Sequence, residues 1–296
     1  MTMKILLIIF LTFTTKTALS ETTTIHIDSV YLNEKIEINA NHYTSSSPNN
    51  TVAISIHGTR GFKTMEIISV LSDYLLDLNI DTIAPNISYG INDRKNEFLP
   101  CDIKHHHNRH ANIEEIAKWF SYAIKKDYQN IILIGHSRGG QDVVHAYTQL
   151  LKIYPKESKR ISSIILLAPL TDNVDEINDF LNKNSNITIR QLLNKDADAL
   201  VKVNFLNCVD TSVRVSSLLS YYNLAQHEHM VQILKDIELD TYIFTASEDT
   251  FVPKTYSKIS NIDNIKIKLI QIEGSDHFFR DLFLDEVIEN LSEFIE

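Results

Sequence analysis

Three short runs carry residue types that could do chemistry together. Gly135-His136-Ser137-Arg138-Gly139 follows the apolar run Ile131–Ile134 and leads into a helical pattern over Gln141–Ile153. That is a strand, a sharp turn with a serine at its tip, and a helix. A serine held there needs neighbours two positions away without side chains, and the new helix aims its first N–H groups at developing negative charge. Such a serine works as a nucleophile only with a base, and the base needs an orienting acid. Gly274-Ser275-Asp276-His277 follows a strand pattern over Ile265–Ile272, and Glu248-Asp249 follows another over Thr241–Ala246. Ligand sites in open α/β sheets gather at the carboxyl ends of strands. Ser137, Asp249 and His277 are therefore assigned as nucleophile, orienting acid and general base, in that chain order. Asp172, just past Pro169 at the end of a further strand pattern, is the alternative acid, and Asp276 reads as a loop carboxylate.

A tetrahedral oxyanion needs two donors. The N–H of Arg138 is one, and the run Ile56-His57-Gly58-Thr59-Arg60-Gly61 offers the N–H of Thr59 as the other. Each such donor is worth on the order of 3 kcal/mol in the transition state. His57 reads as a brace for that loop. His136 and Arg138 flank the nucleophile, and His136 is assigned to substrate binding. The segment Cys101–His110 holds His105, His106, His107 and His110. Imidazoles favour zinc or copper, but only His106 and His110 have the spacing of one helical face, so no metal site is assigned and a polar loop at the mouth of the site is expected. Cys101 and Cys208 either pair in one disulfide or remain two buried thiols.

The elements that must position these groups alternate. Short apolar runs at Val52–Ile56, Asp81–Ala84, Ile131–Ile134, Ile161–Ala168, Thr241–Ala246 and Ile265–Ile272 read as strands. Between them, Thr64–Leu78, Ala111–Lys126 and Gln141–Ile153 have apolar residues at helical spacing, and Asp285–Ile295 is a last helix. Continuous apolar strands alternating with helices predict an α/β fold: a mostly parallel central sheet with helices on both faces. Thr24–Tyr31 and Lys35–Ala40 alternate in period two, as a hairpin does. Residues 170–240 interrupt the rhythm with helical patterns and no convincing strand, so a mainly helical cap insertion is expected there, within one domain over 21–296.

With these residues in view, the chain resembles the α/β-hydrolase superfamily, over roughly 51–169 and 240–296. The Gly135–Gly139 elbow, the run Asp249-Thr250-Phe251-Val252-Pro253 and the run Gly274-Ser275-Asp276-His277 carry the likeness. The resemblance implies cleavage of an ester, thioester, amide or lactone through an acyl-enzyme on Ser137, with no cofactor and a small-molecule or acyl substrate. The oxyanion run is His-Gly-Thr-Arg-Gly, so the likeness to glycine-triplet esterases is weaker. A non-catalytic binding protein on the same fold and an acyltransferase are the other readings.

Composition sharpens this. The chain has 296 residues and only 7 glycines, where average usage would give about 20. Gly135, Gly139 and Gly274 lie in the elbow and the histidine run, Gly58 and Gly61 lie in the Ile56–Gly61 run, and Gly140 adjoins the elbow. A formal net charge of −10 without a basic run argues against nucleic-acid binding. Residues 1–20 have a lysine at 4, an apolar stretch Ile5–Phe13 and small residues at 18 and 20, the pattern of a cleaved secretory signal. The chain is therefore expected to be secreted or periplasmic, with no transmembrane segment after cleavage.

Overall fold

The computed structural model describes residues 20–223, 225 and 228–295. Nearly all of the expected signal segment lies outside them. The elements run β1 (Glu21–Tyr31), β2 (Glu34–Thr44), β3 (Thr51–Ile56), α1 (Glu66–Asp77), β4 (Asp81–Pro85), α2 (Arg109–Lys125), β5 (Asn130–His136) and α3 (Arg138–Ile153). They continue with β6 (Ile161–Leu167), α4 (Val174–Ser185), α5 (Ile189–Leu193), β7 (Leu200–Phe205), β8 (Cys208–Arg214), α6 (Val215–Tyr222) and α7 (Met230–Lys235). Last come β9 (Thr241–Ala246), α8 (Thr255–Ile259), β10 (Ile267–Ile272) and α9 (Leu282–Ile295).

Eight strands form one sheet in the order β1-β2-β4-β3-β5-β6-β9-β10. The β1–β2 and β2–β4 pairings are antiparallel, and the others are parallel. Alternate residues of each central strand face opposite layers. Val52, Ile54, Leu133 and Ile164 point into a core with Trp119 and Phe120 of α2 and Val143 and Leu150 of α3. Ala53, Ile132, Ile134 and Ile165 point the other way, against Ile67 and Leu71 of α1 and Val287 and Leu291 of α9. Both faces being covered, the strands can be apolar throughout, and the parallel strands β3, β5, β9 and β10 end at the same edge of the sheet, where the chemical runs begin.

The segment between β6 and β9 has its own apolar cluster, including Leu181, Leu192, Val203, Phe205, Val213 and Tyr221. The expectation of no strand there is corrected: β7 and β8 form an antiparallel hairpin. Its two-residue turn is Leu206-Asn207, with φ of 49° and 64°. The left-handed residues of a tight hairpin turn are normally announced by Asn-Gly, and a Leu-Asn pair gives no such signal. Cys101 and Cys208 are bonded, with sequence separation 107, which ties this hairpin to the loop before α2. Among the described residues no helix is long and apolar enough to cross a membrane.

Candidate active site

Ser137 sits between β5 and α3 with φ 55° and ψ −120°, a conformation that L-residues adopt only when their surroundings impose it. The surroundings here are backbone. The Ser137 N–H donates to the Leu167 carbonyl at 2.8 Å, and its own carbonyl accepts from Leu170 N–H at 3.0 Å and Gly140 N–H at 3.1 Å. The glycines are steric requirements. A Cβ on Gly135 would lie 2.4 Å from the Gly139 carbonyl oxygen, and one on Gly139 would lie 2.4 Å from the carbonyl oxygen of Ile56. No side chain fits where the elbow crosses its neighbouring strand and helix.

The serine occupies the N-cap position of α3 without capping it. Its Oγ instead lies 2.9 Å from Nε2 of His277. Nδ1 of His277 lies 2.7 Å from Oδ2 of Asp249. The other oxygen of Asp249 accepts from the N–H groups of Phe251 at 2.7 Å and Val252 at 2.8 Å. Burial works to raise the Asp249 carboxyl, but the hydrogen bond from His277 and the two backbone donors outweigh it and hold the group below its ordinary value. An ionised Asp249 fixes the proton of His277 on Nδ1, leaving Nε2 free to accept from the serine. The three residues come from the ends of β5, β9 and β10. Asp172 lines the same cavity and does not take this place.

The loop after β3 presses its backbone against the serine: a Cβ on Gly58 would lie 3.0 Å from the Ser137 Cβ. The next residue, Thr59, accepts a 3.3 Å hydrogen bond at Oγ1 from Arg138 Nε. The N–H of Arg138 opens α3, where it has no acceptor within the helix. His57 holds this loop. Ile87 N–H donates to its Nε2 at 3.1 Å, which leaves the proton on Nδ1 to donate to the Gly58 carbonyl at 2.9 Å. Burial, with Arg94 nearby, pushes His57 down to about 3, so it stays neutral.

Arg94 is a neighbour of the site that sequence reasoning missed. Its guanidinium donates to the carbonyls of Ile87, Arg60, Gly61 and Glu97 at 2.7 to 3.1 Å. It thereby stitches the oxyanion loop to the loop after β4. No local pattern marks an arginine in an irregular loop as the holder of another loop.

His136 lines the cavity but is 1% exposed. Its Nε2–H donates to the His277 carbonyl at 3.0 Å, so the ring fixes the loop that carries His277. Burial, with His277 adjacent, pushes it down to about 3.

The histidine-rich segment turns inward. Tyr221 Oη accepts from Asn112 Nδ2 at 2.7 Å and meets His107 Nδ1 at 2.9 Å, and His107 Nε2 meets His105 Nδ1 at 3.0 Å. Burial pushes His105 down to about 4 and His107 well below the usual range, so both rings are neutral parts of a polar network. The helix begins at Arg109, so His106 and His110 do not share a helical face. A cluster with metal-type ligands lies elsewhere, at His26 and Glu37 on the β1–β2 hairpin and Asp93 in the loop after β4.

A cavity of about 440 Å³ opens over Ser137, Arg138 and His277. Its walls include Met65, Phe98, Leu170, Phe180, Tyr222 and Phe278. A serine–imidazole–carboxylate chain at the floor of a cavity walled by both apolar and polar residues, beside a helix N-terminus, can attack a carbonyl and shelter the charge that results.

Fold and site together place the chain in a class: it has the α/β-hydrolase fold. Est1E from Butyrivibrio proteoclasticus is similar, with TM-score 0.64 at 18% identity, over 92% of this chain and 97% of that one. The α/β hydrolase GrgF from Penicillium sp. sh18 gives 0.60 at 14%, over 92% and 96%. The peroxisomal α/β-hydrolase Lpx1 from Saccharomyces cerevisiae gives 0.58 at 14%, over 93% and 88%. No curated protein matches the sequence. The family described as protein of unknown function DUF1749 matches residues 107–283, and the chain belongs to that family.

Proposed function

We propose that the chain is a serine hydrolase that cleaves a carboxylic ester through an acyl-enzyme on Ser137. The observation that carries this reading is the continuous chain Ser137 Oγ, His277 Nε2, His277 Nδ1 and Asp249 Oδ2, at 2.9 and 2.7 Å. As Ser137 Oγ bonds to the acyl carbon, its proton passes to His277 Nε2, and the carbonyl oxygen takes negative charge between the N–H groups of Arg138 and Thr59. The tetrahedral intermediate collapses, the bond to the alcohol oxygen breaks, and His277 gives its proton to that oxygen. Water then repeats the sequence through the same base and frees Ser137. Asp249 keeps the imidazole in the required tautomer and stabilises its charged form.

Est1E has been seen with ferulic acid bound, which makes hydroxycinnamoyl esters a sensible part of the substrate panel. Secretion or periplasmic export belongs to the same proposal. It is supported by the charged, apolar and small-residue order of positions 1–20 and by a disulfide, a bond that persists in oxidising compartments.

The test is covalent labelling. A fluorophosphonate probe on the purified protein should leave its adduct on Ser137 and none on Ser137→Ala, and p-nitrophenyl esters of graded chain length should be turned over by the wild type alone. A folded protein that takes no label at Ser137 would overturn the proposal. Expressed with residues 1–20, the protein should leave the cytoplasm with its N-terminus at Glu21; cytoplasmic protein that keeps residues 1–20 would remove the export reading.

A further inference from the structure

Two arginines line the cavity beside Ser137 without an ion-pair partner among the described residues. The arginines in ion pairs among the described residues are Arg109, Arg160, Arg214 and Arg280. Arg60 and Arg138, both in the cavity wall, are not among them. Arg138 is only 8% exposed. Its Nε is engaged by Thr59 Oγ1, and its guanidinium lies over the Tyr221 ring, 5.4 Å from the centroid. Arg60 gives its Nε to the Leu99 carbonyl at 2.6 Å. The terminal nitrogens of both side chains remain as donors.

The acids in reach do not answer this charge. Glu176 is held by Lys258 at 2.5 Å and by Lys254 at 3.6 Å. Asp142, on the α3 side of Arg138, is engaged by Arg109 Nε at 2.9 Å. Asp172, the other acid in the wall, is pushed up by burial and drawn down by the nearby charges of Arg138, Lys258 and Lys254, but it forms no ion pair with any of them among the described residues. The imidazoles behind Arg138, His105 and His107, are neutral. This positive site sits in a chain whose net charge is −10. A guanidinium kept nearly dry without a counter-charge is costly, and a ligand that brings the counter-charge recovers that cost. Planar forks of N–H donors match a carboxylate with two parallel hydrogen bonds.

We propose that the cavity takes an ester that itself carries a carboxylate, received by the terminal nitrogens of Arg138 with Arg60 as a second cation. The assignment rests on the ester-hydrolase reading and narrows its substrate class. The apolar residues of the cavity wall, Leu170, Phe180 and Tyr222 among them, accommodate the aliphatic or aromatic spacer, and the carboxylate lies in either the acid or the alcohol part.

The experiment compares matched esters. The pairs are p-nitrophenyl hemiglutarate against p-nitrophenyl pentanoate, with the charge in the acid part, and p-carboxyphenyl butyrate against phenyl butyrate, with the charge in the alcohol part. In at least one pair, the ratio of kcat/KM for charged over neutral ester should fall about 10-fold or more in Arg138→Gln, chiefly through KM. Arg138→Lys should fall between, and Arg60→Gln should lower the ratio less. Ratios unchanged in every variant overturn the proposal, because an arginine that only braces Thr59 affects both esters alike. If no ester is turned over although Ser137 takes the fluorophosphonate label, the hydrolase reading fails separately. The anion site is then read by calorimetry on Ser137→Ala. Monomethyl glutarate binding at least about 10-fold more tightly than dimethyl glutarate sustains it, and equal or absent binding overturns it.

Discussion

Asp249 shows how much of the site is decided by single groups. Three donors converge on its carboxylate, and they keep it ionised in the folded protein. Asp249→Asn keeps the shape but inverts the hydrogen bond to His277 and with it the tautomer. kcat on an ester should fall on the order of 10⁴-fold, while Asp172→Asn, which leaves the relay intact, should cost far less; the reverse order would move the acid to Asp172. The same carboxylate has a stability signature. Its folded value lies below its unfolded one, so its contribution is present above the unfolded value, about pH 4, and is lost as the pH falls through the folded value. Urea midpoints measured from pH 6 downwards should therefore decline less steeply in Asp249→Asn than in the wild type.

Arg94 acts one step further out. Removing its guanidinium frees the Gly61 carbonyl in the oxyanion loop and leaves the Arg60 carbonyl with the Leu99 N–H alone. Misplacing that loop by about an ångström can cost about 10²-fold in rate. Arg94→Met should thus lower kcat with little change in KM, and should also slow fluorophosphonate labelling of Ser137. A drop in KM-dependent binding alone would assign Arg94 to the substrate instead.

The elements explain why some of this was legible and some was not. Strands buried on both faces must be apolar throughout, so β3, β5, β6 and β9 stand out in the sequence, and the elbow stands out because backbone packing at Gly135 and Gly139 admits no side chain. The β7–β8 hairpin did not stand out, because its alternation is short and its turn is Leu-Asn. The loop network around Arg94 has no periodicity to read at all. The β1–β2 turn uses the same device as β7–β8: Leu32 and Asn33 have φ of 46° and 72°. In a chain so short of glycine, left-handed positions fall to asparagine and even leucine. A leucine there costs about 1–2 kcal/mol. Leu32 is 51% exposed, so no core contact compensates. Leu32→Asn should therefore raise stability by about 1 kcal/mol, read as a higher urea midpoint at unchanged m. A lower midpoint would mean that the exposed leucine makes a contact the turn depends on.

The whole molecule consists of two layers packed on one sheet and a third cluster in the segment between β6 and β9 that closes over the site. Among the links that join the third cluster to the rest of the fold is the stretch from Cys101 to His105. Its disulfide reaches Cys208, the Thr211 hydroxyl donates to the Cys101 carbonyl at 2.6 Å, and His105 exchanges hydrogen bonds with Ser212 and Arg214 at 2.9 and 3.0 Å. The bond closes a loop with sequence separation 107, which on chain-entropy grounds is worth about 4–5 kcal/mol. Within that loop lie the elbow strand and α3, so the bond constrains the core as well as the hairpin. Reduction, or Cys101→Ser with Cys208→Ser, should lower the thermal midpoint and open the Leu200–Arg214 hairpin to protease before the sheet is cut. Under mild conditions the double variant should still carry the Ser137–His277–Asp249 geometry, because those three positions are set by β5, β9 and β10. It should therefore label with fluorophosphonate at near wild-type rate while showing a raised KM for esters that fill the cavity. Equal thermal midpoints with and without the bond would show that the packing of Phe205 and Tyr221 against the neighbouring loop holds this segment in place unaided.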